Sequence, residues 1–216
     1  MTGVRSWYDE RLADAYDRAN PSTRPGLLPA AAWLSGSVPA GGTLLDLGCG
    51  TGRDLPALTR DGVHVIGVDI ALPMLRLARR RQHALLCADL TRLPLRDAVA
   101  DAVWCVAAWV HVPHRELPLA AAEVARILRP GGHAVIGVQR GSGGNVELDP
   151  YLGEVPRLMV RYEEAELISA LGEAGLHALP LATQDAELRK WVTTLVGKPH
   201  GAAQRPGTTP EPQDTG

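Results

Sequence analysis

Residues 43–58 read T-L-L-D-L-G-C-G-T-G-R-D-L-P-A-L. An apolar run, Leu44-Leu45-Asp46-Leu47, halts at three alternate glycines, Gly48, Gly50 and Gly52. A short apolar run bounded by glycine predicts a buried strand of a parallel sheet. Glycines at its carboxyl end let the chain turn sharply and let a ligand reach the backbone with no Cβ in the way. Ligands of open α/β sheets bind outside the carboxyl ends of the strands, so this loop predicts the floor of a ligand site. A tight strand-to-helix turn with no ligand is the plainer reading of the same glycines.

The spacing is G-x-G-x-G, whereas the dinucleotide fingerprint is G-x-G-x-x-G, and Arg53 stands where its third glycine would be. Asp46 lies inside the strand end, two residues before Gly48. A buried carboxylate there would repel a pyrophosphate and suits a cationic or amine-bearing ligand.

Outward from this stretch the same alternation continues. Val63–Val68 reads as a second strand ending at Asp69, 21 positions after Gly48 (69 − 48). An acid so placed can accept hydrogen bonds from ribose hydroxyls, or it can cap the helix predicted over 72–81. Arg79, Arg80 and Arg81 near that helix end complement its dipole. Leu85–Cys87 predicts a short third strand, followed by Asp89-Leu90. Ala102–Val106 predicts a fourth, followed by A-A-W-V-H-V-P-H. A helix over Arg115–Leu128, a turn at Arg129-Pro130-Gly131-Gly132 and a fifth strand over His133–Val138 come next.

From about Trp7 to Val196 the chain resembles the class I S-adenosylmethionine-dependent methyltransferases. The resemblance is carried by L-L-D-L-G-C-G-T-G-R-D, then V-I-G-V-D-I at 65–70, C-A-D-L at 87–90, D-A-V-W-C-V-A-A-W-V-H-V-P at 101–113 and E-V-A-R-I-L-R-P-G-G-H-A-V-I-G-V at 123–138. It implies a Rossmann-like α/β fold: a mostly parallel seven-stranded sheet flanked by helices, its last strand antiparallel. It implies S-adenosylmethionine as cofactor and S-adenosylhomocysteine as product. Asp46, Gly48, Cys49, Gly50, Gly52, Asp69, Ile70, Asp89, Leu90 and Ala107 would contact the cofactor, with Ile70 on the adenine and Asp89 at its amine. The end of strand four faces the methyl group in this family, so Trp109, His111 and His114 fall on the substrate side. His114, after Pro113, reads as loop. His111 reads either as a base or substrate-orienting residue, since imidazole titrates near neutral pH, or as a helix cap.

No N-P-P-Y-like segment follows strand four, which argues against amino-group methylation of nucleobases or glutamine. The expected acceptor is a small metabolite or natural product with an oxygen or nitrogen nucleophile. Two alternatives remain: a protein of this fold that cyclises or isomerises its substrate, and a non-enzymatic partner. The glycine spacing and the lack of a catalytic Tyr-x-x-x-Lys argue against a nicotinamide dehydrogenase.

The remaining segments fit around this core. Residues 4–19 predict an amphipathic helix, part of an N-terminal lid (4–36) whose Tyr8 and Tyr16 have polar tips able to face a substrate. A helix over Gly26–Leu34 and another over 52–60 are expected, with 43–138 as the cofactor-binding core. Residues 139–160 hold four glycines and two prolines and predict an irregular loop that sets substrate choice. Glu163–Ala174 predicts a helix stopped by Gly175, and Leu176–Leu181 and Trp191–Val196 predict the closing strands. Residues 198–216, rich in proline and glycine, predict a disordered tail after a single domain over 1–197.

The 216 residues suit one domain with a full core. Net charge is −2, which leaves no electrostatic footprint for nucleic acid. No apolar signal core opens the chain, and Ala102–Val110 is too short to span a bilayer. Three cysteines, Cys49, Cys87 and Cys105, read as reduced, buried small hydrophobes, and no spacing suggests a metal site. A cytoplasmic monomer or homodimer, bound to neither membrane nor nucleic acid, is the expectation.

Overall fold

The computed structural model describes residues 7–180 and 190–200. Expectations for 1–6, 181–189 and 201–216 lie outside the described residues.

β1 (Thr43–Leu47) sits inside the sheet. It runs parallel to β2 (His64–Asp69) on one side and to β4 (Ala100–Val106) on the other. β3 (Ala84–Cys87) pairs with β2, and β5 (Leu128–Gln139) with β4, all parallel. β9 (Trp191–Gly197) is antiparallel to β5 and to β8 (His177–Leu179). The order β3-β2-β1-β4-β5-β9-β8 makes seven strands, as expected. Successive side chains of a strand face opposite sides. Leu44 joins one apolar cluster, with Leu34 and Leu58, while Leu45 and Leu47 join the other, with Val124 and Ile127. Burial on both faces explains why β1 reads as a nearly continuous apolar run.

The helices are α1 (Glu10–Ala19), α2 (Leu28–Ser37), α3 (Leu55–Leu58), α4 (Leu72–Ala78), α5 (Leu117–Ile127) and α6 (Glu164–Glu173). Several are shorter than the apolar period suggests. α1 begins only at Glu10 because the Asp9 carboxylate accepts the Leu12 N–H at 2.8 Å, an N-cap inside the expected helix. α3 is a single turn in place of the helix expected over 52–60. Gly52 is left-handed (φ +79°) and Thr59 is already extended. Arg81 does more than complement a dipole: its Nε donates to the Thr51 carbonyl at 3.0 Å and its Nη2 to Asp17 at 3.2 Å, tying the glycine turn to α1.

Two expectations are corrected. Residues 139–160 are not irregular: β6 (Gly144–Leu148) and β7 (Pro156–Val160) form an antiparallel hairpin. Its turn is organised by Asp149, whose carboxylate accepts the N–H groups of Tyr151, Leu152, Glu154 and Val155 at 2.6–3.1 Å. Burial raises the affinity of that carboxyl for its proton, but the four donors outweigh it and hold Asp149 well below the usual carboxylate range. The tail, in turn, does not begin at residue 198. Lys198 Nζ donates to the carbonyls of Ala125 and Leu128 at 2.7 and 2.8 Å, and its backbone pairs with Gly131 and Gly132. The carbonyls at the end of α5 lack intrahelical partners, and the ammonium supplies them. Of the cysteines, Cys49 and Cys105 are buried as expected, whereas Cys87 is exposed. Among the described residues no helix is long and apolar enough to cross a membrane, and no group of acids, histidines and cysteines is placed to hold a metal.

Candidate active site

A cavity of about 250 Å³ opens at the carboxyl ends of β1, β2 and β4. Gly48 and Gly50 form part of its floor, with Val68 and Asp69 from β2 and Ala107 after β4. α1 contributes Tyr16, the segment before it Tyr8, and the hairpin Tyr151, Arg157 and Met159.

The turn after β1 uses its own amides. The N–H groups of Gly48 and Cys49 donate to the Val68 carbonyl at 2.7 and 3.0 Å, and that of Gly52 to the Cys49 carbonyl at 2.8 Å. The Gly50 N–H donates to Asp69 Oδ2 at 2.8 Å. A phosphate-binding loop needs amides free to point at the anion, and four of the amides here are already engaged. The two glycines face different surroundings. A Cβ on Gly48 (φ +77°) would fall 2.2 Å from the Ala108 Cβ, whereas on Gly50 (φ +55°) it would make only ordinary contacts, with Met74 at 3.7 Å and Tyr16 at 3.9 Å.

Beneath the turn, Asp46 is 2% exposed and its Oδ2 has no partner among the described residues. Burial, reinforced by Asp54, pushes its carboxyl well above the usual range. Asp69 Oδ1 also accepts the Ala71 N–H at 2.8 Å, so the carboxylate is fixed from both sides at the cavity wall. Burial raises it, and these backbone donors oppose the rise. Ile70, Ala88 and Leu90 form an apolar slot next to it. Ala107 adopts a left-handed φ of +65°, its N–H held by the Gly137 carbonyl at 2.9 Å. A non-glycine residue so constrained marks a place where the surrounding structure overrides local preference.

His111 lies in a short 3₁₀ turn, Trp109–His111, directly after β4. Its Nδ1 is 2.8 Å from the Leu158 carbonyl, which can only accept, so Nδ1 carries the proton. Nε2 is therefore the acceptor, 3.1 Å from the Tyr8 hydroxyl. That hydroxyl in turn accepts from Arg157 Nη1 at 2.6 Å. Burial lowers the imidazole to about 4, so His111 is neutral at neutral pH and does not titrate there as expected. Burial likewise raises Tyr8 far above the usual phenol range and Tyr16 to about 12.

Of the residues singled out by sequence, Tyr8, Tyr16, Gly48, Gly50, Asp69, Ile70, Leu90, Ala107 and His111 converge on this cavity. Asp46, Cys49, Gly52, Asp89 and Trp109 do not line it. Cys49 turns its sulfur toward Gly67, where an added Cβ would lie only 2.8 Å away. Gly52 is turn backbone backed by Arg81 and Leu55. The Asp89 Oδ1 accepts from Thr91 N and Oγ1 at 2.9 and 2.7 Å, fastening the local turn. Trp109, expected as an apolar wall for the acceptor, is fully buried in the core beside α5. The 3₁₀ turn sends it inward while His111 faces the cavity. His114 is more than loop: its Nδ1 is 2.6 Å from Glu166, which ties the segment to α6.

Sequence reasoning passed over Arg24, Gln139, Tyr151, Arg157, Met159 and Trp191, all of which line the cavity. Arg157 and Met159 alternate in P-R-L-M-V, the one available sign that they share a strand face.

Residues 45–136 match the sequence family described as the methyltransferase domain. The chain is 32% identical over 179 residues to the malonyl-[acyl-carrier protein] O-methyltransferase of Herminiimonas arsenicoxydans, a match covering 76% of this chain and 66% of that one. The chain thus spans two thirds or less of the length of the curated relatives it matches, down to 17%. The CcbJ methyltransferase from Streptomyces caelestis superposes with a TM-score of 0.70 at 20% identity, covering 90% of this chain and all of that one. The 4+2 cyclase SpnF superposes with a TM-score of 0.69 at 19% identity, covering 92% of this chain and 96% of that one. These likenesses give the fold.

Proposed function

From the premise that this chain belongs to the class I S-adenosylmethionine-dependent methyltransferases, we propose that it transfers the methyl group of S-adenosylmethionine to an oxygen or nitrogen atom of a small metabolite. The observation that carries this reading is the turn after β1. Four of its amides are spent internally while a buried carboxyl, Asp46, whose Oδ2 has no partner among the described residues, lies beneath it. That combination disfavours a pyrophosphate and favours an ammonium-bearing nucleoside.

The residues fit such a molecule. The Asp69 carboxylate would accept from the ribose hydroxyls, the Ile70–Leu90 slot would take the adenine, and Gly48, Gly50 and Ala107 would pass the methionine chain. S-adenosylmethionine supplies, when bound, an electrophilic methyl on a sulfonium that leaves without acid assistance. What remains for the protein is alignment and the exclusion of water, worth on the order of 7–11 kcal/mol in well-oriented reactions. α1 and the hairpin would form the cover. His111, neutral and fixed by Leu158, presents Nε2 as an acceptor; an incoming hydroxyl or amine that displaces the Tyr8 hydroxyl would be oriented there.

Purified protein should bind S-adenosylhomocysteine in calorimetry and form it from S-adenosylmethionine when supplied with metabolite extracts, with a product heavier by one methyl group. Binding without any formation of S-adenosylhomocysteine would instead favour a cyclase or isomerase. Failure to bind would overturn the reading.

A further inference from the structure

Arg157 is the anomaly of the cavity. It is 4% exposed, yet among the described residues no carboxylate lies within ion-pair distance. Its guanidinium is held between aromatic rings, 5.5 Å from the Tyr8 centroid and 5.8 Å from that of Tyr151. Nη1 donates to the Tyr8 hydroxyl, and Nε has no partner among the described residues. Leaving one charge buried and unpaired is strongly unfavourable. Aromatic faces offset part of the loss, and a single phenol oxygen offsets little more. The neighbouring arginine Arg161, by contrast, pairs with Glu147 at 2.8 Å.

The unmatched edge has a shape. With Nη1 given to Tyr8, the guanidinium keeps its Nε side for a planar, two-oxygen anion, the geometry of a carboxylate. Its place in the cavity separates acceptor from cofactor. The methionine end is assigned to the turn after β1, where Arg24 and Arg53 also line the wall. Arg157 stands on β7 and is joined through the Tyr8 hydroxyl to His111, beside the end of β4.

We infer that the methyl acceptor carries a carboxylate and that Arg157, clamped between Tyr8 and Tyr151, is the residue that recognises it. This rests on the methyltransferase reading and adds a substrate class to it: small organic acids.

The test uses wild-type protein loaded with S-adenosylhomocysteine. It is titrated with benzoate, octanoate and malonate, with their methyl esters, and with inorganic phosphate. At least one acid should saturate at a concentration tenfold or more below its ester and below phosphate. Arg157→Gln should weaken that acid at least tenfold while S-adenosylhomocysteine affinity stays within twofold. Arg157→Lys, which keeps the charge without the fork, should fall between the two. If Arg157→Gln does not fold, the acid-to-ester ratio and Arg157→Lys decide. Acids binding no better than esters, phosphate binding best, or no binding by any acid overturns the inference. So does a tenfold loss of S-adenosylhomocysteine affinity in Arg157→Gln, which would place the cofactor's own carboxylate on this arginine. Failure of the methyltransferase reading is distinct: wild-type protein would then not load with S-adenosylhomocysteine at all.

Discussion

Gly48 and Gly50 differ in what a side chain would meet, and the difference separates folding from binding. Gly48→Ala drives a methyl group into Ala108 and should lower the melting temperature by several degrees. Gly50→Ala meets Met74 and Tyr16 only at ordinary contact distance, at the cavity wall. It carries the left-handed penalty of roughly 1–2 kcal/mol and should lose most S-adenosylhomocysteine affinity while remaining folded. Thermal melts with calorimetry on both variants check this; Gly50→Ala binding like wild type would place the ligand elsewhere. Asp69→Ala should lose about 1.5–3 kcal/mol of cofactor affinity, the scale of hydrogen bonds to a charged group, and unchanged affinity in a folded variant would remove the ribose assignment. His111 gives a pH signature. Its folded-state value of about 4 lies below the ordinary 6.5, so the unfolded chain binds the proton more readily between these values. The stabilisation is full above pH 6.5 and is lost as pH falls toward 4, by up to about 3 kcal/mol. Urea melts of wild type and His111→Gln should differ in this acid slope, and equal slopes would show that His111 is not held neutral. The glycines and Asp69 were legible in sequence because their neighbours in the chain are their neighbours in space. Arg157 was not, because its aromatic partners come from positions 149 residues before it and six residues before it across a hairpin turn.

Elements were legible where burial is two-sided. β1, β2 and β4 announce themselves as apolar runs, the first two stopped by Gly48 and Asp69, since parallel strands are covered on both faces. The hairpin was not legible. β6 exposes Val146 and Leu148, at 67% and 61%, and lacks a buried face to impose alternation. Helix ends were misjudged wherever a cap or a left-handed glycine cut the apolar period short, as at Asp9 and Gly52. The end of β9 makes a prediction of its own. A chain ending at His200 should melt like the full chain, whereas one ending at Gly197 loses both Lys198 ammonium contacts with the end of α5. That loss should amount to roughly 1.5–3 kcal/mol, the range for hydrogen bonds from a charged group. Equal melting temperatures for the two truncations would show the anchor to be dispensable.

At the scale of the molecule, the sheet divides its labour between halves. The turns after β1 and β2 line the side of the cavity proposed for the nucleoside, and the turn after β4 with the hairpin lines the other. The hairpin leaves and rejoins the domain at one spot. The Tyr162 N–H donates to the Gln139 carbonyl at 2.9 Å and the Gly141 N–H to the Tyr162 carbonyl at 3.2 Å. Everything from 141 to 161 therefore hangs from a closed neck, and a change of its length or sequence leaves the strand register of the sheet untouched. Such a neck makes the segment a heritable cassette. A lineage can exchange one cavity wall for another by recombination at two adjacent points, and the half of the site built on the glycine turn need never be rediscovered.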